Sequence, residues 1–505
     1  MLKLAVKVGS KKISYKPFSI SVRYLIEEKK LGQSLENLSK ILGLKLSELQ
    51  TKNFLSESGC EIRAAKHNGK PDEILISRIK IDDKFSADYF RNHIAGLVKN
   101  LSNEEIKNLH IFIPAYEPFK KYFNTEDYYY QTFIEGVFLG AYSFSYDKYL
   151  SKKNNKQFEV YFYAGNDKKL KTAVNNTLHL MGGVNFTKDL QNEPAGNLTP
   201  QILANKIRAE LSKAGVKVTV FDENIIKKKK MGGLLAVGGG SANPPRFILL
   251  EYKGGIKRKA GVSKTTALVG KGVTFDTGGI SLKPAADMGE MKGDMSGAAV
   301  VAGVILAAAK AKLKVDLLGV IPAAENMLSG SAYRPGDIIV TASGKTIEVD
   351  NTDAEGRIIL ADALDYASKL KPARIIDLAT LTGACVVALG EFTAGLFTKD
   401  DKLSSDIFSS GIKTHDRVWA LPMWDDYHSL NKSDVADVKN IGGRWAGAIT
   451  AAKFLENFVD KNIPWAHLDI AGPASANSLN NYTKKYMTGF GVRLLFDYLL
   501  KLQKF

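Results

Sequence analysis

From residue 216 onward the chain alternates short apolar runs of strand length with longer stretches of helical period, and few folds satisfy that alternation. Residues 216–221 alternate like a half-buried strand. Residues 247–252, 266–270, 315–321 and 375–378 are near-continuous apolar runs, the pattern of strands covered on both faces. Residues 296–312, 357–371 and 449–459 carry the helical pattern between several of them. Strands separated by helices predict an α/β architecture with a central, mostly parallel or mixed sheet flanked by helices.

A chain of 505 residues is too long for one ordinary core. The first 170 residues form an α/β unit of their own. Strands are expected at residues 1–8, at 74–79 after the turn-like Pro71-Asp72, and at 109–113, which Pro114 stops; residues 89–101 have helical spacing between them. The cluster Tyr128-Tyr129-Tyr130 reads as packing or interface. Leu170, Val174, Leu178 and Met181 recur at helical spacing and predict a long linking helix, with Gly182-Gly183 as a candidate interruption. Turn chemistry follows at Asn192-Glu193-Pro194-Ala195-Gly196-Asn197. The expected organisation is an N-terminal α/β domain over 1–170, a linking helix over 171–192, and a larger C-terminal catalytic α/β domain over 193–505.

Charge constrains partners less than its size suggests. The net charge is +17, but the basic excess is 8 over residues 1–170 and 9 over the rest. It forms no stripe and accompanies no DNA-binding motif, so a nucleic-acid partner is disfavoured. The densest run, Lys227-Lys228-Lys229-Lys230, reads as a solvated helix end. Cys60 and Cys385 stand too far apart in sequence for a disulfide framework or a zinc–thiolate site, which suits a reducing cytosol. The N-terminus lacks the continuous apolar core of a secretory signal. The apolar stretch at residues 298–309 is too short to span a bilayer and reads as a buried helix.

Three segments carry chemistry. A strand ends at Gly270 and runs into the Gly-rich loop Lys271-Gly272-Val273-Thr274-Phe275-Asp276-Thr277-Gly278-Gly279-Ile280-Ser281-Leu282-Lys283. In isolation it reads as a solvated loop, and the Walker spacing of a phosphate loop is absent. Met291-Lys292-Gly293-Asp294 opens an apolar helix, where Asp294 alone would pass for an acidic N-cap. Asp350-Asn351-Thr352-Asp353-Ala354-Glu355-Gly356-Arg357 opens another, and one helix start does not need three carboxylates. Such packing without a cation raises repulsion and pKa values. Four carboxylates, Asp276, Asp294, Asp353 and Glu355, with no histidine nearby in sequence, are too many for one catalytic ion and suit two bridged ions. Lys283 and Arg357 are cations beside the cluster, able to stabilise an oxyanion or hold an anion.

The block from Val269 to Lys283 and the block Asn351-Thr352-Asp353-Ala354-Glu355-Gly356-Arg357 resemble those of the leucyl aminopeptidase, or cytosol aminopeptidase, family. The second block is a highly specific signature, and the resemblance runs over roughly residues 170–500, including Asp377-Leu378-Ala379-Thr380-Leu381-Thr382-Gly383-Ala384. Residues 1–170 resemble the family in size and position only. The resemblance implies a cytoplasmic, metal-dependent aminopeptidase that releases N-terminal residues, preferentially apolar ones such as leucine, from peptides, and a homo-hexamer of two trimers. It implies two divalent ions, Mn²⁺ or Zn²⁺, with Mg²⁺ or Co²⁺ as further candidates. One ion would be held by Lys271, Asp276, Asp294 and Glu355, the other by Asp276, Asp353 (side chain and backbone carbonyl) and Glu355. Lys283 would meet the developing oxyanion. Arg357 would hold a bicarbonate acting as base. Met291, Thr380, Gly383 and Ala471 would line the pocket for the first side chain, and the Leu381 backbone would orient substrate. Two positions depart from the pattern: Met487 replaces a residue that is usually smaller, and Ser475 stands where an aromatic is common.

Overall fold

The computed structural model describes residues 3–8, 18–27, 29–65, 73–144, 157–255, 264–475, 480–483 and 487–503. The expected turn at Pro71-Asp72 lies outside them. The chain forms two compact units, Met1–Leu178 with Asn480–Tyr482, and His179–Leu479 with Thr483–Phe505. The division falls inside one continuous helix, Asp167–Asn192. Gly182-Gly183 does not interrupt it. A Cβ on Gly183 would stand 2.4 Å from the Gly303 carbonyl oxygen, so this glycine serves close helix packing instead of a break.

In the first unit the strands are β1 (Lys3–Val8), β2 (Ser19–Ile26), β3 (Glu61–Ala65), β4 (Glu73–Ile79), β5 (Asn108–Phe112) and β6 (Gln157–Tyr163). They make one sheet in the order β1-β6-β5-β2-β4-β3, parallel throughout except for β3. Helices Ala87–Ser102 and Glu126–Ala141 pack on each other. Between them the fully buried Arg91 pairs with Glu135 at 2.8 Å, a charge whose burial requires that partner. Tyr128, Tyr129 and Tyr130 are all buried, and Tyr129 stacks on Phe90.

The second unit contains β7 (Lys217–Phe221), β8 (Arg246–Lys253), β9 (Thr265–Gly270), β10 (Gly272–Asp276), β11 (Asp316–Asn326), β12 (Ile338–Val340), β13 (Thr346–Glu348), β14 (Arg374–Ala379), β15 (Ala394–Thr398), β16 (Val418–Ala420), β17 (Val438–Lys439) and β18 (Trp465–Asp469). Its main sheet runs β16-β15-β18-β14-β9-β11-β8-β7, with β10 paired to β11; β12, β13 and β17 form a small separate sheet. The centre is parallel (β18, β14, β9, β11), and antiparallel pairs flank it at β15–β18, β11–β8 and β8–β7. Three of the four apolar runs, β9, β11 and β14, lie in this parallel centre, while the fourth, β8, pairs antiparallel with both of its neighbours. Helix Ser296–Lys310 is buried from Ser296 to Ala309. With the 3-10 turn before it, it is long and apolar enough to cross a bilayer, yet 89% of its most apolar stretch is buried, as in the core helix of a globular domain. Lys227–Lys230 lie exposed where helix Glu223–Lys228 ends.

Neighbouring parallel strands β9, β14 and β18 end side by side, at Gly270, Ala379 and Asp469. The loops beyond their carboxyl ends carry Lys271, Thr380 and Ala471, the side of an open α/β sheet where ligands bind.

Candidate functional site

Lys271 leaves β9 with its backbone clamped on both sides. Its N–H donates to the Leu378 carbonyl at 3.0 Å, and its carbonyl accepts from the Ala298 N–H at 2.8 Å. The buried ammonium donates to the Thr380 carbonyl at 2.9 Å and lies 2.8 Å from both Asp294 Oδ1 and Glu355 Oε1. Burial alone would push this lysine down, but Asp294, Glu355 and Asp276 hold it above its ordinary value. Gly356 makes room for it: a Cβ there would meet Lys271 Cε at 2.4 Å.

Asp276 ends β10. Its Oδ1 accepts from the Gly278 N–H at 2.9 Å and from Asn326 Nδ2 at 2.8 Å, and its Oδ2 lies 3.0 Å from Lys283 Nζ. Gly278 and Gly279 both have positive φ, 84° and 65°, which turns the chain back so that Lys283 faces Asp276 and also pairs closely with Asp353. Asp294 does not cap the helix that follows it; the N-cap position belongs to Met295. Its Oδ1 instead accepts from Thr380 Oγ1 at 2.8 Å, while its buried Oδ2 has no hydrogen-bond partner.

Asp353 and Glu355 stand at the start of helix Glu355–Lys369. One carboxylate oxygen from each of Asp276, Asp353 and Glu355 lies within 4.8 Å of the others. Burial raises the carboxyls of Asp294, Asp353 and Glu355 above their ordinary values; neighbouring carboxylates add to this and the two lysines oppose it. Three converging carboxylates and a fourth with an orphaned oxygen are the donors a dication site requires, and a bound dication would remove the repulsion among them. Asp350, the remaining acidic residue of the signature segment, is exposed and takes no part in this cluster.

These side chains line a cavity of about 410 Å³. Lys271, Asp276, Lys283, Met291, Asp294, Asp353, Glu355, Thr380, Leu381, Gly383 and Ala471 all reach it. Arg357 does not. It is buried beside the cluster, donating from Nη1 to the Asn440 carbonyl at 2.8 Å, with Nε lacking a partner. Burial pushes its guanidinium down to about 10.

Several supporting residues escape a reading by motif. Asn326 donates to Asp276 and, at 2.9 Å, to the Thr352 carbonyl; Tyr333 Oη donates to the same carbonyl at 2.8 Å. Asn440 Oδ1 accepts the N–H groups of Asp350 and Asn351, and its Nδ2 donates to the Asn351 carbonyl. Asp469 accepts from Leu381 N–H, Thr382 Oγ1 and Ala471 N–H, fixing the wall opposite. Their only advance signal is polarity inside or just after an apolar run. Glu290, Val386, Ala474, Ser475 and Met487 also reach the cavity.

A second acidic group, Asp425 and Glu456 with His428, also meets metal-ligand distances. There Lys399 and Lys453 each pair with both carboxylates, so two ammonium groups already balance it on the half-open surface.

The model for the catalytic domain of the cytosol aminopeptidase family matches residues 185–496. The probable cytosol aminopeptidase of Aquifex aeolicus is 42% identical over 476 residues, 94% of this chain and 92% of that protein. That of Chloroherpeton thalassium is 44% identical over 440 residues, 83% and 84% of the two chains. Among solved structures, a mutant of tomato leucine aminopeptidase superposes with a TM-score of 0.83 at 30% identity, covering 99% of this chain and 97% of that one. The bottromycin maturation enzyme BotP in complex with Mn gives 0.82 at 31%, covering 97% and 100%. The matched region contains the whole cavity, and the likeness to both groups of proteins extends over the N-terminal unit, so the chain belongs to the cytosol aminopeptidase family.

Proposed function

We propose that this protein is a metal-dependent aminopeptidase that releases N-terminal amino acids, preferentially apolar ones such as leucine, from peptides. The observation that carries the reading is the convergence of four carboxylates and two lysines on one cavity, with Asp294 Oδ2 unpartnered and the lining beyond them largely uncharged. One ion would be held by Lys271, Asp276, Asp294 and Glu355, and a second by Asp276, Asp353 (through side chain and backbone carbonyl) and Glu355. Mn²⁺ is our first candidate, because BotP was solved with Mn; Zn²⁺, Mg²⁺ and Co²⁺ fit the same oxygen-rich donors. When bound, the two ions would supply Lewis acidity for activating water and polarising the scissile carbonyl.

The remaining work falls to the chain. Lys283 stands at the cluster edge, where its ammonium can donate to the negative charge that grows on the carbonyl oxygen. Lys271 would serve as a metal ligand only as a neutral amine, and so would have to give up its proton to hold an ion. Arg357 has spare donors and a buried position next to Glu355, and it would hold a bicarbonate whose oxygen carries the proton from water to the leaving amine. The Leu381 backbone orients the substrate, its own N–H being fixed by Asp469. Met291, Thr380, Gly383 and Ala471 accept the first side chain.

The active form we propose is a cytoplasmic homo-hexamer, which sedimentation of the purified protein checks. The central test is a panel of aminoacyl amides and their N-acetylated forms, assayed after chelation and again after add-back of Mn²⁺, Zn²⁺ or Co²⁺. Hydrolysis confined to free amines and to metal-loaded protein is expected. Full turnover by metal-free protein would overturn the reading.

A further inference from the structure

The cavity has a wall that the motifs do not account for. Met487 is only 4% exposed and lies on the cavity with Met291, Gly293 and Ala474. A Cβ built on Gly293 would stand 2.4 Å from Met487 Cε and 3.1 Å from its Sδ. The end of this methionine therefore fills the space that the missing side chain at 293 leaves open. Large and small residues complement each other here, since Gly293 and Ala474 are small where Met487 is long.

The backbone that delivers Met487 is held at several points. Its N–H donates to Asn192 Oδ1 at 3.2 Å. The Thr488 N–H donates to the Ala474 carbonyl at 3.1 Å, and Thr488 Oγ1 donates to the Pro473 carbonyl at 2.6 Å. The Gly489 N–H donates to Gln191 Oε1 at 3.1 Å. An anchored strap carrying an unbranched thioether makes a wall fixed at its base and adjustable at its tip. Met291, the other thioether of the pocket, is partly exposed, whereas Met487 is almost fully buried.

We infer that Met487 is a specificity-determining residue: its side chain closes the inner end of the pocket for the substrate's first residue and favours aliphatic side chains of leucine or methionine size over aromatic ones. This rests on the aminopeptidase reading. An aromatic ring reaching the inner end must displace the Met487 tip, which has Gly293 behind it. A leucine-sized group stops short and gains the thioether contact. One methylene more or less in an apolar pocket changes selectivity by roughly 10- to 200-fold.

The test uses full-length, Mn²⁺-loaded protein and the amides of Ala, Leu, Met, Phe and Trp, with kcat and KM determined separately. Calorimetric binding of free leucine and phenylalanine gives a readout independent of turnover. Wild type is expected to prefer Leu and Met. In Met487→Ala the Phe-to-Leu ratio of kcat/KM should rise about tenfold or more, and phenylalanine should gain affinity relative to leucine. Met487→Phe should act in the opposite sense, losing Leu and Met turnover while keeping Ala. Thermal unfolding establishes that each variant is folded; if Met487→Ala is not, Met487→Phe decides. Folded variants with the wild-type ranking would overturn the inference and leave the aminopeptidase reading intact. A wild type that cleaves none of the amides would overturn that reading, and the inference with it.

Discussion

Arg357 donates from Nη1 to the backbone carbonyl of Asn440 at 2.8 Å, and among the described residues no carboxylate pairs with it. A buried arginine with a structural task normally has a carboxylate partner. This one has a neutral acceptor, a free Nε and a guanidinium pushed down to about 10, all of which favour an added anion. Arg357→Ala is expected to retain both metals and most substrate affinity while losing roughly 10²–10⁴-fold in turnover, the usual share of general acid–base catalysis. Added bicarbonate should accelerate wild type and leave the variant unchanged. Metal analysis with steady-state kinetics in both conditions checks this, and a variant that has shed its metals would show Arg357 to be a scaffold residue.

Asp353→Ala and Glu355→Ala each remove a charge from a group whose oxygens converge within 4.8 Å. Each should abolish turnover and lower metal content while leaving the far-ultraviolet circular dichroism unchanged. Relief of like-charge repulsion offsets part of the lost interactions with Lys271 or Lys283, so the unfolding midpoint of metal-free protein should move little. Elemental analysis finding two metals per subunit in both variants would refute the ligand assignment.

Asn326 tests the layer behind the ligands. One amide orients Asp276 and the Thr352 carbonyl together, tying the β10 loop to the signature segment. Asn326→Ala leaves all four carboxylates in place but frees Asp276 to rotate. Partners of this kind are typically worth 10- to 100-fold in metal affinity. Titration of the chelated variant with Mn²⁺ should show that weakening, with turnover recovering at saturating metal. Unchanged affinity would show that the carboxylates hold their own geometry.

These supporting residues mark where sequence reading stopped. The unbroken runs at residues 247–252, 266–270, 315–321 and 375–378 became β8, β9, β11 and β14, because a strand covered on both faces has no polar side to disguise it. Asp353 and Glu355 were legible as candidate ligands because carboxylates crowded at a helix start demand a reason, whereas Lys271 entered only through the family resemblance. Asn326 and Asn440 gave no such signal. They act on Asp276 and Arg357 from 50 and 83 residues away, Asn326 through its side-chain amide and Asn440 through its backbone carbonyl, which only the fold brings near. Gly183 misled for a related reason: whether a helical glycine breaks or packs depends on what lies opposite, here the Gly303 carbonyl. The small sheet β12-β13-β17 was missed because strands of two or three residues carry no period.

Asp362, outside the cavity lining, yields a prediction about stability. It lies buried in helix Glu355–Lys369, where its Oδ2 accepts from the Leu234 N–H at 2.9 Å and its Oδ1 from the Ala342 N–H at 2.8 Å. Burial pushes its carboxyl up to about 7, against the pull of these backbone donors. In the unfolded chain the same group releases its proton near pH ~3.9. Between those values the folded form binds the extra proton. The contribution is therefore fully present below about pH 4 and is lost as pH rises through about 7. Its ceiling is roughly 4 kcal/mol, at about 1.4 kcal/mol for each tenfold change in proton affinity. Asp362→Asn cannot ionise. It keeps one acceptor for a backbone N–H but turns an NH₂ toward the other, so it should be less stable than wild type at low pH. Its stability should also vary less between about pH 5 and 8, and the gap between the two proteins should narrow across that range. Thermal midpoints of both proteins in matched buffers measure this. A gap that stays constant would mean that Asp362 is ionised throughout, held by its backbone donors, and that the pH dependence of this fold arises elsewhere.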